Sequence, residues 1–382
     1  MPGMLPPAGA GGMTRDQRLV AAFAGLAVVA AGIVGADIAA VERPGVPVVS
    51  RDVPLGPDGR VTVRFVGDTM VGDALQPLID QRGYDWPFDG VRADTTAADF
   101  VVAVAETPIT DRVPVPGPPG PSLFATRPPA AQALARAGVD ALSLATEHVL
   151  DTGVEGLADT TSHADAAGLA TFGAGADLAR AEQPLLLRTG LGTIGVVALT
   201  DATDDRAREL VPGTTRLSPE SVVRGRDLAR AAGADWVVAV VDWGTNYDTV
   251  QPQQRYWAEV LATAGYDLVV GSGPHIAQPI EMVGSTPVAF SVGNFVYGTQ
   301  GRFGPLGLPG FGLAVGLEIG PDRAPQVTIG CLTTDNRATG FQPRYCDAAQ
   351  SAAFLPTLGA GVRVEGNRAA LACPCFARRE PS

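Results

Sequence analysis

Five short segments, each at the end of an apolar run, carry acidic residues or histidines that could hold a metal ion. They are Gly67-Asp68-Thr69-Met70, Ala105-Glu106-Thr107-Pro108, Thr146-Glu147-His148, Asp242-Trp243-Gly244 and Gly273-Pro274-His275. In an α/β sheet, ligands bind in loops past the carboxyl ends of the strands, so we expect these side chains to share one pocket. Converging carboxylates repel one another unless a cation lies between them. The segments therefore predict a metal site.

The apolar pattern predicts the strands and helices that must position these segments. Short β-branched runs that precede them are predicted as strands at residues 61–66, 100–104, 141–145, 236–241 and 268–270. Helices are predicted at residues 130–137, 153–167, 219–232 and 252–264. Ser218 is the expected N-cap of the third helix, and Gly233 is its stop signal. Strands that alternate with helices indicate an α/β fold.

Four cysteines lie beyond the segments, at Cys331, Cys346, Cys373 and Cys375. Outside the cytoplasm such cysteines tend to pair, and four of them allow three connectivities. We predict a disulfide between Cys331 and Cys346, because both lie in the region of a predicted terminal hairpin (311–319 and 327–332) and its return. The Cys373-Pro374-Cys375 sequence could be a zinc half-site, but no histidine or further cysteine lies near it.

The N-terminal region predicts a membrane segment. Residues 19–41 are apolar except for Asp37 and are long enough to cross a bilayer. Arg15 and Arg18 precede them, which predicts a cytoplasmic N-terminus and an external domain. A cleaved signal peptide, and hence a secreted protein, is the alternative, because Ala36, Ala39 and Ala40 offer cleavage sites.

The predicted domain organisation has five parts. Its boundaries are a cytoplasmic tail at 1–18, an anchor or signal peptide at 19–41, a linker at 42–60, a main domain at 61–300, and C-terminal strands with a cysteine-containing tail at 301–382. The net charge is −12, which argues against a nucleic-acid partner. It would also repel an anionic polymer unless the arginines are clustered.

The order and spacing of the five segments resemble those of the bacterial capsule-synthesis, or poly-γ-glutamate synthesis (CapA-like), proteins. A sixth segment, Ser291-Val292-Gly293-Asn294-Phe295, adds to the resemblance, which covers residues 61–298. That family is similar to the calcineurin-like metallophosphoesterases. The resemblance implies a metallophosphoesterase-like sandwich of two β-sheets flanked by helices. A single acidic residue after a strand is usually a helix cap, but five segments in family order favour a metal site instead.

Several residues match the family pattern. Asp68 corresponds to the acidic residue of a Gly-Asp-x-Met motif, and Glu106 to that of an Asn-Leu-Glu motif. His148 and Asp151 match an Asn-Asn-His motif that is followed by Asp and Gly. His275 matches the second histidine of a His-Pro-His motif. The resemblance implies that Asp68, Glu106 and His275 are metal ligands.

Other positions depart from that pattern. Val104 replaces the asparagine of the second motif, and Glu147 stands where a ligating asparagine is expected. Asp242 replaces the histidine of a His-Trp-Gly motif. Gly273 replaces the first histidine of the His-Pro-His motif and supplies no ligand.

Two functions remain open. In the first, the protein is a metal-dependent hydrolase of capsule or exopolymer synthesis, with His148, oriented by Asp151, protonating the leaving group at the pocket rim. The expected ligands are Asp68, Glu106, Glu147, Asp242 and His275. Such an oxygen-rich set favours Mn²⁺ or Mg²⁺ over Zn²⁺. The expected partners are the membrane and either an anionic polymer or other capsule-synthesis membrane proteins.

In the second, the metal site has decayed, and the domain is a non-catalytic scaffold or polymer-binding module of the cell envelope. Trp243, Tyr247 and Tyr297 lie near the ends of the motifs. These rings could line a polymer groove or pack in the core.

Overall fold

A computed structural model describes residues 48–114 and 124–372 of the chain. Its centre is a sandwich of two β-sheets, whose facing side chains form one apolar cluster. Phe65 and Val315 from one sheet belong to this cluster together with Val196 and Val238 from the other. The prediction of two sheets flanked by helices is therefore confirmed.

The larger sheet has ten strands, in the order β18-β19-β16-β15-β2-β3-β4-β5, with β14 beside β2 and β17 beside β16. Strands β2 to β5 are parallel to one another, whereas β15 runs antiparallel to β2. The strands are β2 (Val61–Met70), β3 (Phe100–Ala105), β4 (Ala141–Ser143), β5 (Ala170–Phe172), β14 (Asn294–Tyr297), β15 (Phe311–Ile319), β16 (Pro325–Thr333), β17 (Arg344–Tyr345), β18 (Val362–Glu365) and β19 (Arg368–Leu371).

The smaller sheet has seven strands, in the order β1-β7-β8-β10-β11-β13-β12. Strands β8, β10, β11 and β13 are parallel. The strands are β1 (Val49–Val53), β7 (Leu185–Thr189), β8 (Gly192–Thr200), β10 (Trp236–Asp242), β11 (Leu268–Ser272), β12 (Ile280–Val283) and β13 (Thr286–Ala289). A separate pair joins β6 (Ala174–Gly175) to β9 (Gly213–Thr214).

Helices cover the outer face of each sheet. Leu134 and Leu157 pack on the larger sheet, and Val222 and Leu261 pack on the smaller one. The helices are α1 (Gln76–Arg82), α2 (Arg92–Thr95), α3 (Pro129–Arg136), α4 (Gly153–Ala166), α5 (Leu178–Ala181), α6 (Pro219–Ala231), α7 (Pro252–Ala264), α8 (Phe303–Leu306), α9 (Asn336–Thr339) and α10 (Ala348–Phe354). Both faces of the parallel strands are covered, which explains their continuous apolar runs.

Helix α6 is bounded as its sequence predicts. The Ser218 side chain accepts a hydrogen bond from the backbone N–H of Ser221, which caps the helix. Gly233 follows the helix with a φ of 94°, the left-handed conformation typical of a helix stop.

The structure corrects two of the predicted boundaries. The segment predicted as a linker contains strand β1, which pairs in parallel with β7 at the edge of the smaller sheet. Strands β15 and β16 were assigned to a separate C-terminal region, yet β15 pairs directly with β2 in the larger sheet. Residues after 300 therefore complete the sandwich. Their apolar alternation does not encode which strand they join, because pairing partners lie far apart in the chain.

The predicted disulfide is present. Cys331 on β16 is bonded to Cys346, with their Cα atoms 5.3 Å apart. The backbone N–H of Cys346 donates to the Cys331 carbonyl at 2.9 Å, which holds the two segments in register. Cys373 and Cys375 lie outside the described residues.

The predicted membrane segment at residues 19–41 also lies outside the described residues. Within 48–114 and 124–372, no helix combines the length and the apolar character needed to cross a bilayer.

Candidate metal centre

The carboxyl ends of the parallel strands from both sheets meet at one edge of the sandwich. A close approach of two backbones brings β2 against the segment after β13. A Cβ atom on Gly67 would lie 1.6 Å from the Gly293 carbonyl oxygen, so only glycine fits there. The Asp68 N–H donates to that carbonyl at 3.1 Å. This contact points the next side chain, Asp68, between the sheets.

Asp68 is completely buried and has one satisfied and one unsatisfied oxygen. Its Oδ2 lies 3.0 Å from His275 Nδ1 and accepts a hydrogen bond from the Gly273 N–H at 3.4 Å. Its Oδ1 has no hydrogen-bond partner among the described residues. A buried oxygen without a partner costs about 1–3 kcal/mol. A cation beside Oδ1 would remove that cost.

His275 contributes one ring nitrogen to the pocket. Its Nδ1 lies 3.0 Å from Asn294 Oδ1 and 3.0 Å from Asp68 Oδ2, so Nδ1 faces two acceptors and carries the hydrogen. Its Nε2 lies 3.8 Å from Glu106 Oε1. A nitrogen lone pair that faces a carboxylate oxygen needs a proton or a metal ion between them. Nε2 is therefore the atom available as a ligand.

Glu106, Glu147 and His148 form a second group of potential ligands, with one ligand atom from each lying within 4.8 Å of the others. Glu106 is buried, whereas the Glu147 side chain is 32% exposed and lies towards solvent. His148 Nε2 is 3.6 Å from Glu147 Oε1. We expected His148 at the pocket rim, but the ring is buried within this group.

The His148 ring is held by a carboxylate behind it. Its Nδ1 lies 2.8 Å from Asp151 Oδ2, and the same oxygen accepts the Phe124 N–H at 2.7 Å. The Phe124 ring packs edge-on against the imidazole, with centroids 5.0 Å apart. Asp151 and Phe124 thus fix the orientation of the ring and leave Nε2 facing Glu147.

Asp242 is the last residue of β10 and is buried. Its Oδ2 accepts a hydrogen bond from the Thr200 hydroxyl at 3.2 Å. Its Oδ1 lies next to Gly273, the position that supplies no side chain. Asp242 therefore occupies space that a side chain at residue 273 would need.

The carboxylates of the site interact electrostatically and shift one another's pKa values. Burial raises the pKa of Glu106 well above its ordinary value, and the charges of Asp68 and Asp242 raise it further. Burial likewise raises the pKa of Asp242, with additional contributions from Asp68 and Glu147. The four carboxylates predicted from the sequence thus lie within electrostatic range of one another. A divalent cation would offset this repulsion.

Two tyrosines flank His275. The ring of Tyr247 lies 5.6 Å from the imidazole and that of Tyr297 lies 4.9 Å from it. Burial raises the pKa of both hydroxyls, and the Asp68 and Glu106 charges add to the effect. Tyr247 is partly exposed, whereas Tyr297 is buried and the third ring, Trp243, packs in the core of the smaller sheet, so core packing describes two of the three rings.

The sequence analysis missed two residues that contact the site. Asn294 lies opposite Asp68 in the pairing of β14 with β2 and contacts His275. Thr200 ends β8 and contacts Asp242. Asn294 lies in the sixth segment, so its position after an apolar run was a usable signal. Thr200 carried no such signal.

Comparison with known proteins gives consistent results. The family model described as "Bacterial capsule synthesis protein PGA_cap" matches residues 62–299. The PGA biosynthesis protein CapA of Bacillus subtilis is 30% identical over 67% of this chain and 66% of its own length. The capsule biosynthesis protein CapA of Bacillus anthracis is 26% identical over 62% of this chain and 60% of its own length.

A probable polyglutamine synthesis accessory protein of Mycobacterium tuberculosis is 28% identical over 56% of this chain and 60% of its own length. The chain thus spans less than two thirds of the length of these relatives. Among solved structures, the NAD nucleotidase of Haemophilus influenzae matches with a TM-score of 0.41 and 8% identity, over 70% of this chain and 49% of that one. That similarity is too weak to support a conclusion.

Proposed function

The chain belongs to the bacterial capsule synthesis protein family PGA_cap, and from this membership we propose that it is a divalent-metal-dependent hydrolase acting in poly-γ-glutamate-type capsule synthesis. The proposal includes a metallophosphoesterase-like arrangement of the two sheets. The observation that carries it is the buried Asp68 Oδ1, which has no hydrogen-bond partner among the described residues and belongs to a cluster of carboxylates. An acidic cluster built around such an oxygen fits a cation.

Of the ligands proposed here, Glu106 and Glu147 belong to the group whose ligand atoms lie within 4.8 Å of one another. Asp68, Glu106, Glu147 and Asp242 offer carboxylate oxygens, and His275 offers Nε2. Carboxylate-rich sets of this kind suit Mn²⁺ and Mg²⁺ better than Zn²⁺. A bound cation of this type polarises a substrate oxygen and lowers the pKa of a coordinated water molecule.

We assign the proton-donor role to His148. Asp151 accepts from its Nδ1 at 2.8 Å, so the other nitrogen is directed towards Glu147 and the cluster. A ring nitrogen that ligates a metal has no proton to give, so the two roles exclude each other. We assign the ligand role to the carboxylates and His275, and under that assignment His148 is free to protonate the leaving group. Asp151 positions the ring for that transfer.

The second candidate function is a non-catalytic scaffold, and one observation favours it. Residue 273 supplies no ligand, and the neighbouring Asp242 oxygen fills the space beside it. A site with fewer ligands can hold a carboxylate-bearing polymer or a partner protein through a weakly bound ion without cleaving any bond.

Metal uptake and hydrolysis distinguish these functions. Metal-free protein is titrated with Mn²⁺, and bound metal is measured by mass spectrometry. We expect uptake by the wild type and none by Asp68→Asn, because the amide removes the charge beside the unsatisfied oxygen. Asp140→Asn is the matched control. Asp140 is also partly buried and accepts a backbone hydrogen bond, from Val101, but it lies at the amino end of β4.

Hydrolysis is then measured with bis(p-nitrophenyl) phosphate and with a γ-linked glutamate oligomer. Turnover that needs Mn²⁺ and is lost in Asp68→Asn supports the hydrolase. Uptake of Mn²⁺ without turnover of either probe supports the scaffold. If the wild type takes up no divalent ion at millimolar concentration, the metal proposal is wrong.

We further propose that residues 19–41 anchor the protein in the cell membrane with the sandwich outside, a secreted protein being the alternative. Arg15 and Arg18 on the amino side of that segment support this orientation. The Cys331–Cys346 disulfide supports an oxidising compartment. Besides the membrane, the expected partners are an anionic polymer or other capsule-synthesis membrane proteins.

A reporter enzyme fused after Arg60 tests this location. Activity on the external face is expected, and the same fusion without residues 19–41 should remain inside. Cytoplasmic activity of the complete fusion would contradict the proposal.

A further inference from the structure

Tyr247 is held beside the metal centre by its backbone. Its φ of 59° lies in the left-handed region, which costs a non-glycine residue about 1 kcal/mol. Its N–H donates to the Pro274 carbonyl at 2.8 Å, directly before His275. The ring consequently lies 5.6 Å from the His275 imidazole. The left-handed backbone at Tyr247 thus accompanies an aromatic ring placed next to His275.

Two consecutive residues pack on the same ring from outside. Phe303 is buried and contacts Tyr247 edge-on, with centroids 5.9 Å apart. The guanidinium carbon of Arg302 lies 5.7 Å from the centre of the Tyr247 ring. Because Phe303 is anchored in the interior, it fixes the start of the Arg302 side chain. One ring therefore separates an arginine from the imidazole that contacts Asp68.

Arg302 has unused binding capacity. Its side chain is exposed, and within residues 48–114 and 124–372 it forms no ion pair. The positive charge of Arg302 lowers the pKa of the neighbouring Tyr247 hydroxyl, and the negative charges of Asp68 and Glu106 raise it. In a chain of net charge −12, a cation one ring away from His275, with no ion pair among the described residues, can attract an anionic ligand.

We propose that Arg302 binds a carboxylate group of an anionic polymer and thereby aligns the chain with the metal centre. This inference rests on the proposed function. An anionic polymer approaching Asp68 and Glu106 meets like charges, so it needs a positive group outside the ligand set. The planar guanidinium can donate two parallel hydrogen bonds to one carboxylate, and stacking on Tyr247 limits its motion. Arg302 is thus a specificity residue of the polymer site.

The test measures binding of a fluorescent γ-linked glutamate oligomer to the Mn²⁺-loaded full chain by anisotropy. Arg302→Ala should weaken binding about tenfold, because a charge-assisted pair is lost. The affinity of Arg302→Lys should lie between those of the wild type and Arg302→Ala, since lysine keeps the positive charge but cannot donate two parallel hydrogen bonds. Arg323→Ala is the matched control. Arg323 also lies over an aromatic ring, 5.7 Å from the centre of Trp236, at the opposite end of β10. The Arg323→Ala variant should bind the oligomer as tightly as the wild type does.

The outcomes separate this inference from the proposed function. If the wild type and Arg302→Ala bind the oligomer with equal affinity, Arg302 has no role in polymer binding, but the proposed polymer function still stands. No oligomer binding by the wild type overturns both. Mn²⁺ uptake should be the same in all variants, and a loss in Arg302→Ala would overturn the inference by showing an effect on the metal site. If Arg302→Ala weakens the binding of inorganic phosphate tenfold but leaves binding of the glutamate oligomer unchanged, the assignment of a carboxylate as the ligand of Arg302 is wrong.

Discussion

Asp242 and Gly273 occupy one shared space. A Cβ atom on Gly273 would lie 2.5 Å from Asp242 Oδ1 and 2.7 Å from the Trp243 carbonyl oxygen. The φ of Gly273 is 102°, which a residue with a side chain rarely adopts. The resembled family pattern has histidine at both positions. In this chain the Asp242 carboxylate, the Trp243 backbone and the positive φ together leave no room for a side chain at residue 273.

Gly273→Ala should lower the free energy of unfolding by about 2–4 kcal/mol, since the new methyl group adds a clash to backbone strain. It should also weaken Mn²⁺ uptake by displacing Asp242. Gly233→Ala is the control: its φ is 94°, but a Cβ there would meet nothing within 4 Å. Urea denaturation should show a loss of about 1 kcal/mol for the control. Equal losses in the two variants would mean that Asp242 is not constrained by Gly273.

The metal-free protein should lose stability as the pH rises. Burial raises the folded-state pKa values of Glu106 and Asp242, and the neighbouring carboxylates Asp68 and Glu147 raise them further. The folded state thus holds more protons than the unfolded state from the ordinary carboxylate pKa, about 4, up to the raised values. In that window the free energy of unfolding falls with pH.

Mn²⁺ should reverse this trend, because the ion binds the deprotonated carboxylates. Thermal unfolding from pH 4.5 to 8, with EDTA or with Mn²⁺, measures both effects. Glu106→Gln should flatten the metal-free profile, since one of the raised groups is then absent. A metal-free melting temperature that rises steadily over this range would contradict the assignment.

Asp242→His should shift metal preference towards Zn²⁺. A nitrogen ligand suits softer ions, and Gly273 leaves room for the larger ring. Competition between Zn²⁺ and Mn²⁺, measured by isothermal titration calorimetry, should favour Zn²⁺ more strongly than in the wild type. Asp140→His serves as the control, because Asp140 lies at the amino end of β4 and accepts the Val101 N–H instead of contacting the cluster. An unchanged preference in Asp242→His would exclude residue 242 as a ligand.

Loss of the Cys331–Cys346 disulfide should lower the free energy of unfolding by about 3 kcal/mol, because a cross-link over a loop of this length restricts the unfolded chain. The two residues are separated by 15 positions. The double variant Cys331→Ala, Cys346→Ala should show this loss in urea denaturation. Dithiothreitol should destabilise the wild type and leave the double variant unaffected. Equal sensitivity of both proteins would assign the effect to another bond.

The sequence determined the elements whose signals are local. The hairpin strand β15 and helix α7 have the predicted bounds, Phe311–Ile319 and Pro252–Ala264, because apolar periodicity and glycine or proline stop signals act over a few residues. The same signals locate acidic residues at strand ends. The family resemblance then implied a common pocket for Asp68, Glu106 and Asp242, and the two-sheet sandwich.

Only the tertiary structure decided how these residues meet. The Gly273 N–H reaches Asp68 across 205 positions of sequence. Thr200 joins the site through a strand end that no local pattern links to it, and Asp242 fills the space beside Gly273. The same holds for β1, whose pairing with β7 no local signal predicts. Contacts of this kind depend on chain packing in three dimensions, because residues that share a pocket need not share any neighbourhood in sequence.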